Sequence, residues 1–215
     1  MYLCCIFGVK HYNINQTKIL LVNFKKTYAR MYLHLLYFNT IYKGVSPMKL
    51  YASYGTYAFL KQKKDKNPDH SLYLFSTADN SVIIEETEDR TVLKEPIAYE
   101  EIKSDGAIDE RHFHAVIFIP TTEDHAYQLE KKLESLTANY SQFAGYRCYR
   151  FLKPTKQLTY KIYFGFNSRN DYETFKNSSV FKENFSREAL SQFFGSSTQY
   201  ASYFERYLYP ITDED

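Results

Sequence analysis

The chain has 215 residues, 44% hydrophobic and 24% charged, with a formal net charge of +2. That length suits one large core or two small ones. Its longest apolar run, 31–42, is broken by His34, Asn39 and Thr40 and falls short of the about 18 residues a membrane span needs. Cys4, Cys5 and Cys148 give neither a disulfide framework nor zinc-ligand spacing, so a reducing cytoplasm is expected, with Cys148 a buried thiol.

Residues 1–47 contain no Asp or Glu but six basic residues, Lys10, Lys18, Lys25, Lys26, Arg30 and Lys43. The remainder is net negative, and so sharp a shift marks a boundary. The front segment lacks a signal-peptide cleavage pattern and any helix or strand period. Lys43-Gly44-Val45 is encodable as a bacterial ribosome-binding sequence a short gap before Met48, so translation is expected to begin at Met48. If genuine, this basic aromatic segment suits contact with a membrane surface.

From 48 to 56 apolar and polar residues alternate, which predicts a strand, and 57–64 suits one or two helical turns. After a loop at 67–70, strands are expected at 71–76 and 81–86 about a turn at 78–80, with a short strand at 91–93. Pro96 at a first helical position predicts a short helix ending near Gly106. The apolar centre of 112–119 predicts a strand covered on both faces. Thr121-x-x-Asp124 then reads as the capped start of a helix carrying Ala126, Leu129, Leu133, Leu136 and Tyr140 on one side. Strands follow at 146–152 and 159–166, and Ser168-x-x-Asp171 caps a second helix. The stretch 180–194 is helical in pieces, Gly195-Ser196-Ser197 breaks it, and 202–211 is a last strand. The 22 Tyr and 17 Phe, with no Trp, favour sheet, where rings pack well on a pleated surface.

This order is β-α-β-β-α-β, an α+β ferredoxin-like unit over 107–215 with both helices on one face of the sheet. Residues 48–106 form an N-terminal α+β half whose strands serve as an internal partner for the other face, as in a dimeric or pseudo-dimeric α+β barrel. His112 and His114 are two apart on a strand and share a side, while His125 lies in the first turn of the next helix. Zinc needs three or four ligands at short range, and strand and helix separate these, so no metal is expected. In the last strand Tyr203, Glu205, Tyr207 and Tyr209 share one face, and Phe204, Arg206 and Leu208 the other. The scattered basic groups of a net-negative body make direct nucleic-acid binding unexpected.

Four runs resemble the TRAP family (target of RNAIII-activating protein) of Gram-positive cocci. They are Leu50-Tyr51-Ala52-Ser53-Tyr54-Gly55-Thr56-Tyr57, Thr122-Glu123-Asp124-His125-Ala126-Tyr127-Gln128-Leu129-Glu130-Lys131-Lys132-Leu133, Thr159-Tyr160-Lys161-Ile162-Tyr163-Phe164-Gly165-Phe166 and Ser202-Tyr203-Phe204-Glu205-Arg206-Tyr207-Leu208-Tyr209-Pro210-Ile211. The resemblance begins at Met48 and spans the chain to Ile211. It implies a regulatory or stress-response protein, cytoplasmic or peripheral at the membrane, tied to virulence or quorum-sensing control through protein partners, and a homodimer is compatible with it. It also implies histidine phosphorylation, with acceptor positions matching His112 and His125. A third position falls on Tyr200, where this chain departs from the pattern.

The family is in turn similar to the antibiotic-biosynthesis-monooxygenase superfamily, which includes heme-degrading enzymes that use an Asn, a Trp and a heme-ligating His. This chain has no Trp, and the corresponding region Phe181-Lys182-Glu183-Asn184-Phe185 has no His. No cofactor is therefore expected, since the proximal ligand sets what heme iron does. The leading expectation is a non-enzymatic regulator with His112 and His125 as phosphoacceptors. The alternatives are a heme-binding or heme-degrading monooxygenase, and a binding module built on the aromatic sheet.

Overall fold

A computed structural model describes residues 47–137, 139–195 and 203–211. The basic front segment, Ser196-Ser197 of the expected break, and Tyr200 lie outside these residues. The first strand, β1 (Lys49–Gly55), alternates as its sequence requires, with Leu50 and Ala52 buried. It leads into α1 (Tyr57–Asp65), then β2 (Leu72–Ser76) and β3 (Ser81–Thr87). Irregular chain over 88–96 leads to β4 (Ile97–Gly106).

The second half runs β5 (Phe113–Pro120), α2 (Glu123–Glu134), β6 (Tyr146–Pro154) and β7 (Thr159–Phe166). Three short helices, α3 (Arg169–Lys176), α4 (Ser179–Asn184) and α5 (Arg187–Leu190), precede β8 (Phe204–Leu208). Ser168, Ser178 and Ser186 each accept a backbone N–H at the start of one of these helices. A serine cap at each restart is why 179–190 folds in pieces.

All pairings in the sheet are antiparallel, in the order β2-β3-β1-β4-β6-β7-β5-β8. Its two edges meet: Ser76 N–H donates to the Tyr209 carbonyl at 3.0 Å, and Tyr209 N–H to the Ser76 carbonyl at 2.9 Å. The sheet is thus closed into a barrel within one chain. Each half repeats the ferredoxin-like order, its second, third, first and fourth strands side by side, and each fourth strand abuts the other half's second.

Alternation along the strands sorts side chains into three cores. Leu50, Ala52, Phe75 and Tyr99 of the first half meet Val116, Cys148, Leu152 and Tyr163 of the second inside the barrel. Outside, α2 to α5 pack an aromatic core on the second-half sheet, and α1 covers a smaller one on the first.

Three local expectations are corrected. Residues 97–106, read as a helix, form β4, because both edges find partners: Lys49 opposes Glu100 and Ala52 opposes Ile97 on one side, and Leu152 opposes Glu101 on the other. Pro96 stands just before the strand, where its missing N–H breaks no ladder bond. The short strand at 91–93 is a bend instead, held by the Glu85 carboxylate, which accepts from Thr91 Oγ1 at 2.5 Å and Val92 N–H at 3.2 Å. Thr121 does not cap α2; Thr122 is the N-cap residue, and the Thr121 hydroxyl donates to the Phe193 carbonyl at 2.9 Å. Leu136 and Tyr140 lie beyond the helix end but pack on the same core.

Among the described residues, no helix is long and apolar enough to cross a membrane.

Candidate functional site

The histidines are placed by β5 and the loop that feeds it. Asp109 organises this loop: its carboxylate accepts from Arg111 through the backbone N–H at 2.9 Å, Nε at 3.0 Å and Nη2 at 2.6 Å. These bonds hold the Asp109 carboxyl well below the usual carboxylate range. His112 turns Nδ1 toward the same carboxylate, 3.7 Å from Oδ2, and that nitrogen is buried without a hydrogen-bond partner. The imidazole is 22% exposed, so Nε2 is the nitrogen left for chemistry.

His112 lies in a bend just before β5, so the shared strand face expected for it and His114 is not formed. His114 faces into the barrel, whereas Phe113 between them enters the aromatic core outside. Its Nε2 lies 3.0 Å from the Asp109 carbonyl. A carbonyl only accepts, so Nε2 carries the proton. Nδ1 then faces Cys148 Sγ at 3.8 Å, with the Phe75 ring centroid at 4.9 Å. Burial pulls His114 down to about 4 and pushes the Cys148 thiol up to about 12, so both are uncharged at neutral pH. Gly165 is what lets them meet. A Cβ there would lie 2.6 Å from Cys148 Sγ and 2.9 Å from His114 Cε1.

His125 sits at the other end of the strand. Its Nδ1 is 3.2 Å from Thr122 Oγ1, which is why that hydroxyl makes no cap bond. An eight-residue strand at about 3.3 Å per residue puts roughly 23 Å between the two ends. The fold therefore gathers His112 and His114 around Asp109 and keeps His125 apart. No group of three or more His, Cys, Asp or Glu able to hold a metal occurs among the described residues.

Two buried cations escaped the sequence reading. Arg150 spans the barrel interior, with Nε 2.7 Å from Glu86 and 3.0 Å from Glu101. Lys161 is 1% exposed and its Nζ has no hydrogen-bond partner. It lies 4.4 Å from the Tyr99 ring centroid and 4.7 Å from that of Phe118. The signal for it was parity. In Thr159–Phe166, Tyr160, Ile162, Phe164 and Phe166 take the helix-covered face, which leaves Lys161 and Tyr163 facing inward.

No family model matches the chain. The signal transduction protein TRAP of Staphylococcus aureus strain MRSA252 is 63% identical over 165 residues, covering 77% of this chain and 99% of that protein. The chain belongs to the TRAP family. The protein of the same name in strain NCTC 8325 / PS 47 is 59% identical with the same coverage. A solved structure described as a major regulator of staphylococcal pathogenesis is 58% identical, with a TM-score of 0.73, covering 76% of this chain and 99% of its own.

More distant likenesses show the fold alone. A ferredoxin-fold protein related to antibiotic-biosynthesis monooxygenases from Listeria monocytogenes is 16% identical with a TM-score of 0.65, over 78% of this chain and 96% of its own. A heme-degrading enzyme from Listeria monocytogenes is 17% identical with a TM-score of 0.61, over 75% of this chain and 99% of its own.

A heme does not fit between the second-half sheet and its helices. Tyr140, Tyr149, Phe164 and Phe175 fill that space, and Phe181 and Phe185 pack into it from the segment that corresponds to the heme-ligating region. The one buried histidine among the described residues, His114, lies on the other side of the sheet.

Proposed function

We propose that this chain is a signal-transduction regulator, not an enzyme, that is switched by phosphorylation of His112 with His125 as a second acceptor. The observation that carries the regulatory role is the 63% identity to the signal transduction protein TRAP over 99% of that protein's length. The partners are regulatory proteins met in the cytoplasm or at the membrane periphery, and the outputs are stress and virulence control.

The Asp109 loop supports the choice of His112. A phosphoryl group on Nε2 adds charge of about −1.5 to −2 close to Asp109, so the two anions repel. Arg111, 82% exposed and, among the described residues, paired with Asp109 alone, then has a stronger anion to turn to. Exchange of Arg111 from carboxylate to phosphate would free His112 and loosen the turn before β5, a local charge event read out by a strand that crosses the barrel.

The test is labelling of the full chain with radioactive acetyl phosphate, scored for acid-labile, base-stable phosphate. His112→Ala is expected to remove most of the label, and His112→Ala with His125→Ala essentially all of it. Labelling unchanged in the double variant sinks the assignment.

A further inference from the structure

The two halves repeat one strand pattern but cover their outer faces unequally. In the second half, α2 to α5 and the sheet bury nineteen apolar side chains together; the first half buries five, Leu60, Leu72, Leu74, Ile83 and Leu93. Topology gives the reason. No helix joins β3 to β4, so the place that α3 to α5 occupy in one half is spanned in the other only by the bends of 88–96.

That missing cover leaves a cleft of about 630 Å³ between α1 and the 93–97 segment, lined by Phe59, Leu60, Leu93 and Ile97. Its volume lies within the roughly 300–1,000 Å³ usual for small-ligand sites. Phe59 is 65% exposed and Ile97 42%, so apolar surface that a packed half would bury faces water here. The equivalent space in the second half is filled by the chain's own Tyr140, Phe164, Phe175 and Phe185. No side chain among the described residues fills the first-half cleft in that way.

The rim of the cleft is basic. Lys63 on α1 and Lys66, the residue that caps its end, are three apart and share a face, and Lys94 stands opposite on the irregular segment. None of the three has an ion-pair partner among the described residues, whereas Lys64 of the same helix pairs with Glu110. Glu95 is the only acid on the cleft wall among the described residues.

We infer that this cleft binds a free amphiphilic carboxylate of fatty-acid type. Its aliphatic chain lies on Leu60, Leu93, Ile97 and Phe59, and its carboxylate sits among Lys63, Lys66 and Lys94. The site stands on the unequal halves and the unpaired lysines, and is independent of any phosphorylation of His112.

The experiment is calorimetric titration of the full chain with dodecanoate below its micelle concentration. Dodecanol and dodecyltrimethylammonium are the comparators, and vesicles of anionic phospholipid form a separate arm. Dodecanoate is expected to saturate at one per chain and to bind at least tenfold more tightly than either comparator. Lys63→Gln with Lys66→Gln and Lys94→Gln should weaken it about tenfold, from three screened charge contacts of roughly twofold each. Ser53→Phe, which fills the cleft from the β1 side, should abolish binding. Both variants carry changes only at the cleft wall and are checked for an unaltered circular dichroism spectrum. Equal binding of the three amphiphiles, indifference to both variants, or binding to vesicles alone would each overturn the site.

Discussion

Two buried bases set how this barrel answers to pH. Burial, with the like charge of Arg206 adding to it, pulls Lys161 down to about 7 from an ordinary 10.5. The attraction of the ammonium to the Tyr99 and Phe118 rings offsets about 2 kcal/mol or somewhat more, while desolvating a charge costs several, and the lowered value shows that desolvation wins. For both Lys161 and His114 the unfolded chain binds a proton that the folded chain refuses. Stability is therefore full above the ordinary pKa and falls as pH drops toward the shifted one. For Lys161 the loss runs from 10.5 down to about 7, and for His114 from 6.5 down to about 4. Urea unfolding as a function of pH should show both windows. Lys161→Met is expected to flatten the upper window and to raise stability at pH 6 by roughly 1–4 kcal/mol. His114→Gln keeps a donor for the Asp109 carbonyl and should flatten the lower window. An unaltered slope in the Lys161→Met protein between pH 7 and 9 would show that the amine titrates as in water.

At the scale of elements, Arg150 of β6 is a clasp across the barrel. Besides Glu86 and Glu101 it donates through Nη1 to the carbonyls of Asp105 at 2.9 Å and Tyr149 at 2.8 Å. Both acids are nearly buried, and burial raises the Glu86 carboxyl above its ordinary value despite the guanidinium. Removing the cation alone strands two carboxylates. Arg150→Met should cost about 3–5 kcal/mol in urea unfolding, and the triple change Arg150→Met, Glu86→Leu, Glu101→Leu should recover most of it. If Arg150→Met is as stable as the parent chain, the clasp contributes nothing. Elements also differ in how far their own residues announce them. Thr159–Phe166 is a strand by any reading, because β-branched and aromatic residues fill it and its one glycine, Gly165, falls next to its end. Ile97–Gly106 is not, because Pro96 and the polar Glu100, Glu101 and Lys103 suit a helix start as well. Only the ladders to β1 and β6 decide it, and those partners are remote in sequence.

For the whole molecule, the ferredoxin-like order of β5 to β8 was legible because its helix and strand periods alternate cleanly. The first half hid its own copy of that order, since one of its helices is absent and its last strand resembled a helix. The same limit applies to the sites. That His112 and His125 belong to opposite ends of one strand follows from counting residues. That Lys161 is buried, or that a cleft opens beside α1, depends on what the other half places opposite. The barrel interior makes this dependence energetic as well as geometric. Its core draws Leu50, Ala52, Val82 and Ile84 from the first half and Val116, Leu152, Tyr163 and Leu208 from the second, so neither half retains a complete core alone. The halves should then open together. Leu152, 0% exposed on β6, tests this: Leu152→Ala removes a buried side chain and is expected to cost about 2–5 kcal/mol. In hydrogen exchange under native conditions, the slowest amides of β1 should lose protection by the same free energy as those of β7, although β1 is not paired with β6. Loss confined to 107–211 would mean two units that fold separately and merely share a seam. Equal loss would mean that closure through Ser76 and Tyr209 makes the two ferredoxin-like halves one cooperative barrel.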